Sequence, residues 1–282
     1  MEKIALVTDS ASDITRDMVE KYNITVLPFR IIMDGHDYRD GVDINSQEVY
    51  DSLDKYSITS SLTSMDDMTK MFEKLKEEGY THVIAVTISS KLSGMNNALR
   101  LVSNDYPEII TEVIDSKSIS CMESAMIQHA GKLIEEGKCF EDVVKIVKET
   151  REKSETFFII GTLEYLKKGG RIGKVAGTIA EILNIKPIIR VSEEGEYTTY
   201  DKVRGRKQSI NKMIEIANKI LDRGRYDVYV GHGCAEEESK KMLEEISKNK
   251  NINRTYFKGL ISGVAGVHSG PGLIGIVFYG VN

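Results

Sequence analysis

The chain reads as an α/β protein of two domains: a Rossmann-like, mostly parallel N-terminal sheet domain, then a C-terminal two-layer α/β domain, with a ligand between them. Three observations lead there. Short apolar runs alternate with amphipathic stretches through the first half, the rhythm of β-α-β units. After about residue 153 hairpin signals mixed with helices replace that rhythm. The 282 residues, 41% hydrophobic and 29% charged, suffice to bury two cores. The expected domains cover residues 1–154 and 155–282. Two domains meeting face to face make their cleft the default ligand site.

Taken in order, Ile4–Val7 is a short apolar strand ending at Thr8-Asp9-Ser10, and Ser12-Asp13 suits the cap of a helix through Lys21. Ile24–Met33 is β-rich up to the turn signal Asp34-Gly35. Asn45 is placed to cap a helix from Ser46 to Lys55, and Met65–Glu78 is an amphipathic helix stopping at Gly79. Thr81–Ile88 is the unbroken apolar run of a strand buried in a parallel sheet. A strand at Thr111–Ile114 and helices over Ser118–Glu136 and Glu141–Glu152 follow. Val7-Thr8-Asp9-Ser10-Ala11-Ser12 echoes Val113-Ile114-Asp115-Ser116-Lys117-Ser118, each a strand entering an Asp-Ser turn. Such turns line the carboxyl edge of a parallel sheet, where ligands bind. In the second half Phe157–Ile160 is a strand, and Ile185–Val191 with Glu196–Lys202 forms a hairpin across Glu194-Gly195. Helices are expected over Gly205–Asp222 and Glu236–Lys248, and strands at Asp227–Gly231, Ile252–Phe257 and Leu273–Phe278.

Composition excludes several functions. The formal net charge is −5 and no dense Lys/Arg block occurs, which argues against a nucleic-acid partner. Cys121, Cys139 and Cys234 are too few and too scattered for a disulfide scaffold, so a reducing cytoplasm is expected. The first apolar run is too short for a signal peptide, and no stretch approaches the length of a membrane span. A cytoplasmic protein without stable membrane insertion follows. No Cys/His set has metal-ligand spacing, so no metal is expected.

Four segments carry more than scaffold chemistry. Thr63 and Ser64 precede a helix, where either could serve as its cap. Ser89-Ser90-Lys91-Leu92-Ser93-Gly94 leaves a buried strand and enters a helix, where hydroxyls and free N–H groups make an anion site. Three serines and a glycine exceed the needs of one cap. Gly169-Gly170-Arg171-Ile172-Gly173-Lys174 fails the phosphate-loop pattern, because Val175 follows the lysine; its arginine between glycines can approach a ligand or a partner closely. Gly270, Gly272 and Gly275 match G-x-G-x-x-G, yet a strand follows rather than a helix, so a dinucleotide site is not expected. His268 there stands in a glycine-flanked turn suited to close approach. His36, His82 and His129 read as structural, and His232 is a weak candidate. Methionines at helical spacing (Met65, Met68, Met71; Met122, Met126) read as core, or as a pocket for varied acyl chains.

These segments together resemble the DegV family over almost the whole chain. The matching pieces are Thr8-Asp9-Ser10, Thr63-Ser64, the Ser89–Gly94 loop, Leu163–Ile172, Lys186-Pro187-Ile188, Lys202-Val203-Arg204 and His268–Gly272. The resemblance implies a protein that buries one long-chain fatty acid of the palmitate, stearate or oleate type and uses no other cofactor. It further implies a lipid-carrying subunit that presents the carboxylate to a separate fatty acid kinase catalytic subunit. By position, Thr63 and Ser93 hold the carboxylate with the backbone at Gly94 and Met95, Arg171 and His268 complete the hydrogen-bond network, and Arg204 serves partner docking. Met95 stands where the family usually has threonine, so only its N–H could serve, and Asn96-Asn97 is also atypical.

Physical chemistry fits that division of labour. Roughly 0.8 kcal/mol per buried methylene gives a sixteen-carbon chain on the order of 10 kcal/mol before ordering costs. That term cannot orient the head group, and a desolvated carboxylate needs hydrogen bonds or a cation. Binding without turnover is the natural reading. The alternative is a serine hydrolase or acyl-transfer enzyme using Ser93 and His268. It needs an orienting carboxylate and lacks the G-x-S-x-G elbow.

Overall fold

A computed structural model of the chain describes residues 2–178 and 185–280. In the first half β1 (Ile4–Asp9), β2 (Ile24–Leu27), β6 (His82–Thr87) and β7 (Ile110–Asp115) form an all-parallel sheet in the order β2-β1-β6-β7. The unbroken apolar β6 is buried along its length: Val83 and Ala85 enter one core and Ile84 and Val86 another. The run from Ile24 to Met33 is not a single strand. Pro28, which has no N–H to give a ladder, separates β2 from β3 (Arg30–Met33). With β4 (His36–Arg39) and β5 (Thr59–Ser61), β3 makes a separate antiparallel sheet in the order β4-β3-β5. Asp34 and Gly35 both take left-handed φ, 51° and 74°, as a tight hairpin requires.

Helix starts follow local chemistry. The first helix begins later than Ser12: residues 10–12 form a 3₁₀ turn capped by Asp9, Asp13 is left-handed, and α1 runs Arg16–Tyr22. Asn45 and Glu48 form a capping box on α2 (Ser46–Ser52), and Ser64 caps α3 (Met65–Glu77) by accepting from the Asp67 N–H at 3.0 Å. Next come α4 (Met95–Ser103), α5 (Cys121–Glu135) and α6 (Phe140–Glu152).

The second sheet contains β8 (Glu155–Ile159), β9 (Ile185–Val191), β10 (Tyr197–Arg204), β11 (Tyr226–Gly233), β12 (Ile252–Leu260) and β13 (Leu273–Gly280), in the order β10-β9-β8-β13-β11-β12. β11 and β12 run parallel and the other neighbours antiparallel. Strand alternation sorts its two faces. Ile274, Ile276 and Phe278 of β13 join the core with residues of α8 (Arg206–Leu221) and α9 (Glu236–Ile246). Leu273, Val277 and Tyr279 join cores shared with the first half. Helix α5 lies between the sheets, touching β1 and β6 of one and β11 and β13 of the other. Two short helices complete the chain, α7 (Glu164–Lys168) and α10 (Gly263–Ser269), and α10 packs across onto α2 and the small sheet. No helix among the described residues is long and apolar enough to cross a membrane.

Candidate functional site

A largely apolar cavity runs through the seam between the halves. Leu92, Phe158, Leu166, Tyr197, Ile261 and Val264 are among its walls, and Ser60, Ser93, Arg171 and His268 are polar residues on it. From Leu273, near the His268 end, β13 carries the wall onward to Val277, where Cys121 and Thr156 also line it. Four residues of strand make that path about 13 Å. Ser60, Arg171 and His268 also line a second, open cleft with Tyr56, Tyr165 and Lys168. The polar group therefore stands where the apolar cavity adjoins this cleft.

Each side chain of the group is held from behind. Ser93 ends the loop after β6, whose start is fixed by Asp9 accepting from the Ile88 N–H at 2.9 Å. Ser89 secures the same loop, donating its hydroxyl to the Gly195 carbonyl at 2.9 Å. The Arg171 guanidinium donates to the carbonyls of Leu92 at 3.1 Å and Gly169 at 2.6 Å, bridging the Ser93 loop and the α7 terminus. His268 lies on α10, not in the turn expected for it, and its Nε2 is 2.7 Å from Ser60 Oγ. The other ring nitrogen, Nδ1, is buried without a hydrogen-bond partner among the described residues. Burial, reinforced by the Arg171 cation, pushes the His268 pKa down to about 4, so the ring is neutral at ordinary pH.

Ser93, Arg171 and His268 line the same cavity, and Thr63 is not among its lining residues. Thr63 is buried, and its hydroxyl donates to the Pro28 carbonyl at 2.6 Å. Ser60, three residues earlier, takes the place beside the imidazole. Met95 packs in the core, and its N–H donates to Ser93 Oγ at 3.2 Å. Gly94 caps α4 and does not line the cavity, and Arg204 is exposed at the end of β10. Among the described residues Ser93 and His268 form no nucleophile–base pair, since the Nε2 hydrogen-bond neighbour is Ser60 and Nδ1 meets no orienting carboxylate.

Beneath the cavity lies a second polar group that sequence reading passed over. Asp9, Asp13 and Glu123 are buried at the seam of β1, α5 and the approach to α10. Glu123 accepts from the Ser120 N–H at 3.0 Å, and Asp13 accepts from the Ser120 hydroxyl and, at 2.5 Å, the Ser262 N–H. Burial pushes Asp9 up to about 7 and holds Glu123 well above the carboxylate range, aided by the neighbouring negative charges. No group of three or more His, Cys, Asp or Glu among the described residues is placed to hold a metal ion.

Comparison with known proteins fits this arrangement. A family model described as an uncharacterised protein of the DegV family matches residues 3–281. A DegV domain-containing protein of Clostridium acetobutylicum is 50% identical over 279 residues, covering 99% of each chain. A DegV-family protein of Thermus thermophilus, described for its fatty acid binding, superposes with a TM-score of 0.92 at 26% identity, covering 99% of this chain and 100% of that one. A stearic acid-binding protein of Eubacterium ventriosum superposes with a TM-score of 0.88 at 32% identity, covering 99% of this chain and 98% of that one. By family match, identity and fold, the chain belongs to the DegV family.

Proposed function

We propose that this chain is a cytoplasmic carrier of one long-chain fatty acid, with the acyl chain in the apolar cavity and the carboxylate among Ser60, Ser93, Arg171 and His268. One observation carries the reading: a hydroxyl–imidazole–guanidinium group stands where the apolar cavity adjoins a second cleft. The hydroxyls and the cation suit an anionic head, and a neutral imidazole can order a hydroxyl by donating or accepting one hydrogen bond at Nε2. Relatives described as fatty acid-binding support the choice of ligand. Palmitate, stearate and oleate are the class to test. Purified protein should release fatty acid on solvent extraction, and delipidated protein should take up oleate or palmitate in a calorimeter. Absence of both would end the proposal.

The carboxylate end facing the cleft also supports presentation to a separate fatty acid kinase catalytic subunit, with Arg204 as a docking contact and the two halves, divided near residue 154, as the lipid clamp. A mixture of lipid-loaded protein, cognate kinase subunit and ATP should yield acyl phosphate. R204A should slow that reaction without changing lipid uptake. No acyl phosphate would leave binding standing and remove the partner. The hydrolase reading draws no support from the Ser60–His268 contact, because among the described residues its imidazole has no carboxylate behind it.

A further inference from the structure

We infer that Gly169 is a positioning residue for the head-group site, its bare α-carbon being what lets the His268 imidazole stand against Ser60. This rests on the fatty acid reading above. Two adjacent glycines end α7, and they are glycines for different reasons. Gly170 has φ of +70° with open space where a side chain would go, so its requirement is conformational. Gly169 has φ −75° and ψ −7°, an ordinary helical conformation that alanine adopts with better propensity. Its requirement is space. A methyl there would stand 3.0 Å from His268 Cε1 and 3.2 Å from Cγ, and closer still to Nδ1, well inside contact distance.

Neither partner can retreat. The Gly169 N–H donates to the Tyr165 carbonyl at 2.9 Å, and its carbonyl receives the Arg171 guanidinium at 2.6 Å. The imidazole is fixed on its far side by Ser60 and carried by α10, which packs on α7, α2 and the small sheet. The contact also accounts for the unpartnered Nδ1, which faces an α-carbon rather than a hydrogen-bonding group. Gly169 thus sets the ring angle, and through its carbonyl it shares Arg171 as well.

The test compares wild type, G169A, H268A and G169A/H268A for oleate against methyl oleate, with ¹⁵N-labelled imidazole signals read in the same samples. G169A should lower the preference for the acid over the ester roughly tenfold, the worth of one good hydrogen bond. It should also shift the His268 ring signals. In H268A the space is vacant, so the double variant should behave as H268A alone. Unchanged preference and ring signals in G169A, or additive losses in the double variant, would overturn the inference. If G169A does not fold, recovery of folding in the double variant supports the contact, and failure of both refutes it. Wild type binding neither ligand would sink the fatty acid reading instead, while the ring signals of G169A still decide the Gly169–His268 contact.

Discussion

At the residue scale, the proposed site sets Ser60 apart from Thr63, the threonine to which the family resemblance assigns the carboxylate. Thr63 satisfies the Pro28 carbonyl at the point where the chain leaves the parallel sheet for the small antiparallel one. Ser60 faces the imidazole. S60A should weaken fatty acid binding by about 1 kcal/mol, or roughly five- to tenfold, with little change in melting temperature. T63V should do the reverse, costing about 1 kcal/mol of stability by removing the donor to a part-buried carbonyl while head-group preference persists. Titration calorimetry and thermal melts separate the two, and equal binding losses in both variants would contradict the assignment. The signal for Ser60 was present but faint. Strand alternation through Thr59-Ser60-Ser61 turns the middle hydroxyl inward, yet three residues are too few to announce a strand.

At the element scale, strands and long helices were legible because burial and capping leave local marks: the unbroken run of β6, the Asn45–Glu48 box, the left-handed Asp34-Gly35 hairpin. Helix α10 was not, and the reason is physical. Gly263 and Gly266 disfavour a helix by about 1 kcal/mol each, so local propensity points to a turn. Tertiary contacts reverse that. Ser262 is held by Asp13, the Gly263 and Val264 N–H groups meet the Asp40 carboxylate, and Tyr50 fills the space beside Gly266. A methyl on Gly263 would stand 2.7 Å from Asp40 Oδ1 and 2.8 Å from Val49 Cγ2. G263A should therefore destabilise the protein by about 1–3 kcal/mol despite alanine's better helix propensity, and should also loosen fatty acid binding because α10 carries His268. A melt showing G263A more stable than wild type would mean that propensity outweighs the close approach.

At the scale of the whole molecule, the buried acids make stability depend on pH through the seam that holds the halves together. Glu123 opens α5, the helix between the sheets; Asp9 anchors the loop leading to Ser93; Asp13 holds the start of α10. Asp9 rises from 3.8 to about 7 on folding, so between those values the folded chain keeps a proton that the unfolded chain has released. Its contribution is complete below about 3.8 and is lost as pH rises through about 7, and Glu123, raised in the same direction, continues the loss. His268 works the other way: its folded pKa of about 4 lies below 6.5, so its contribution is present above 6.5 and fades as pH falls toward 4. From about pH 6 to about pH 8 the loss from Asp9 prevails, and melting temperature should fall over that range. In E123Q an uncharged amide can still accept from the Ser120 N–H and donate to Asp9, while the ionisation of Glu123 itself, opposed by burial and by the Asp9 and Asp13 charges, is gone. Its melting temperature should exceed that of wild type at about pH 8 and vary less with pH. Parallel profiles for the two proteins would show that the acid group does not govern the alkaline limit.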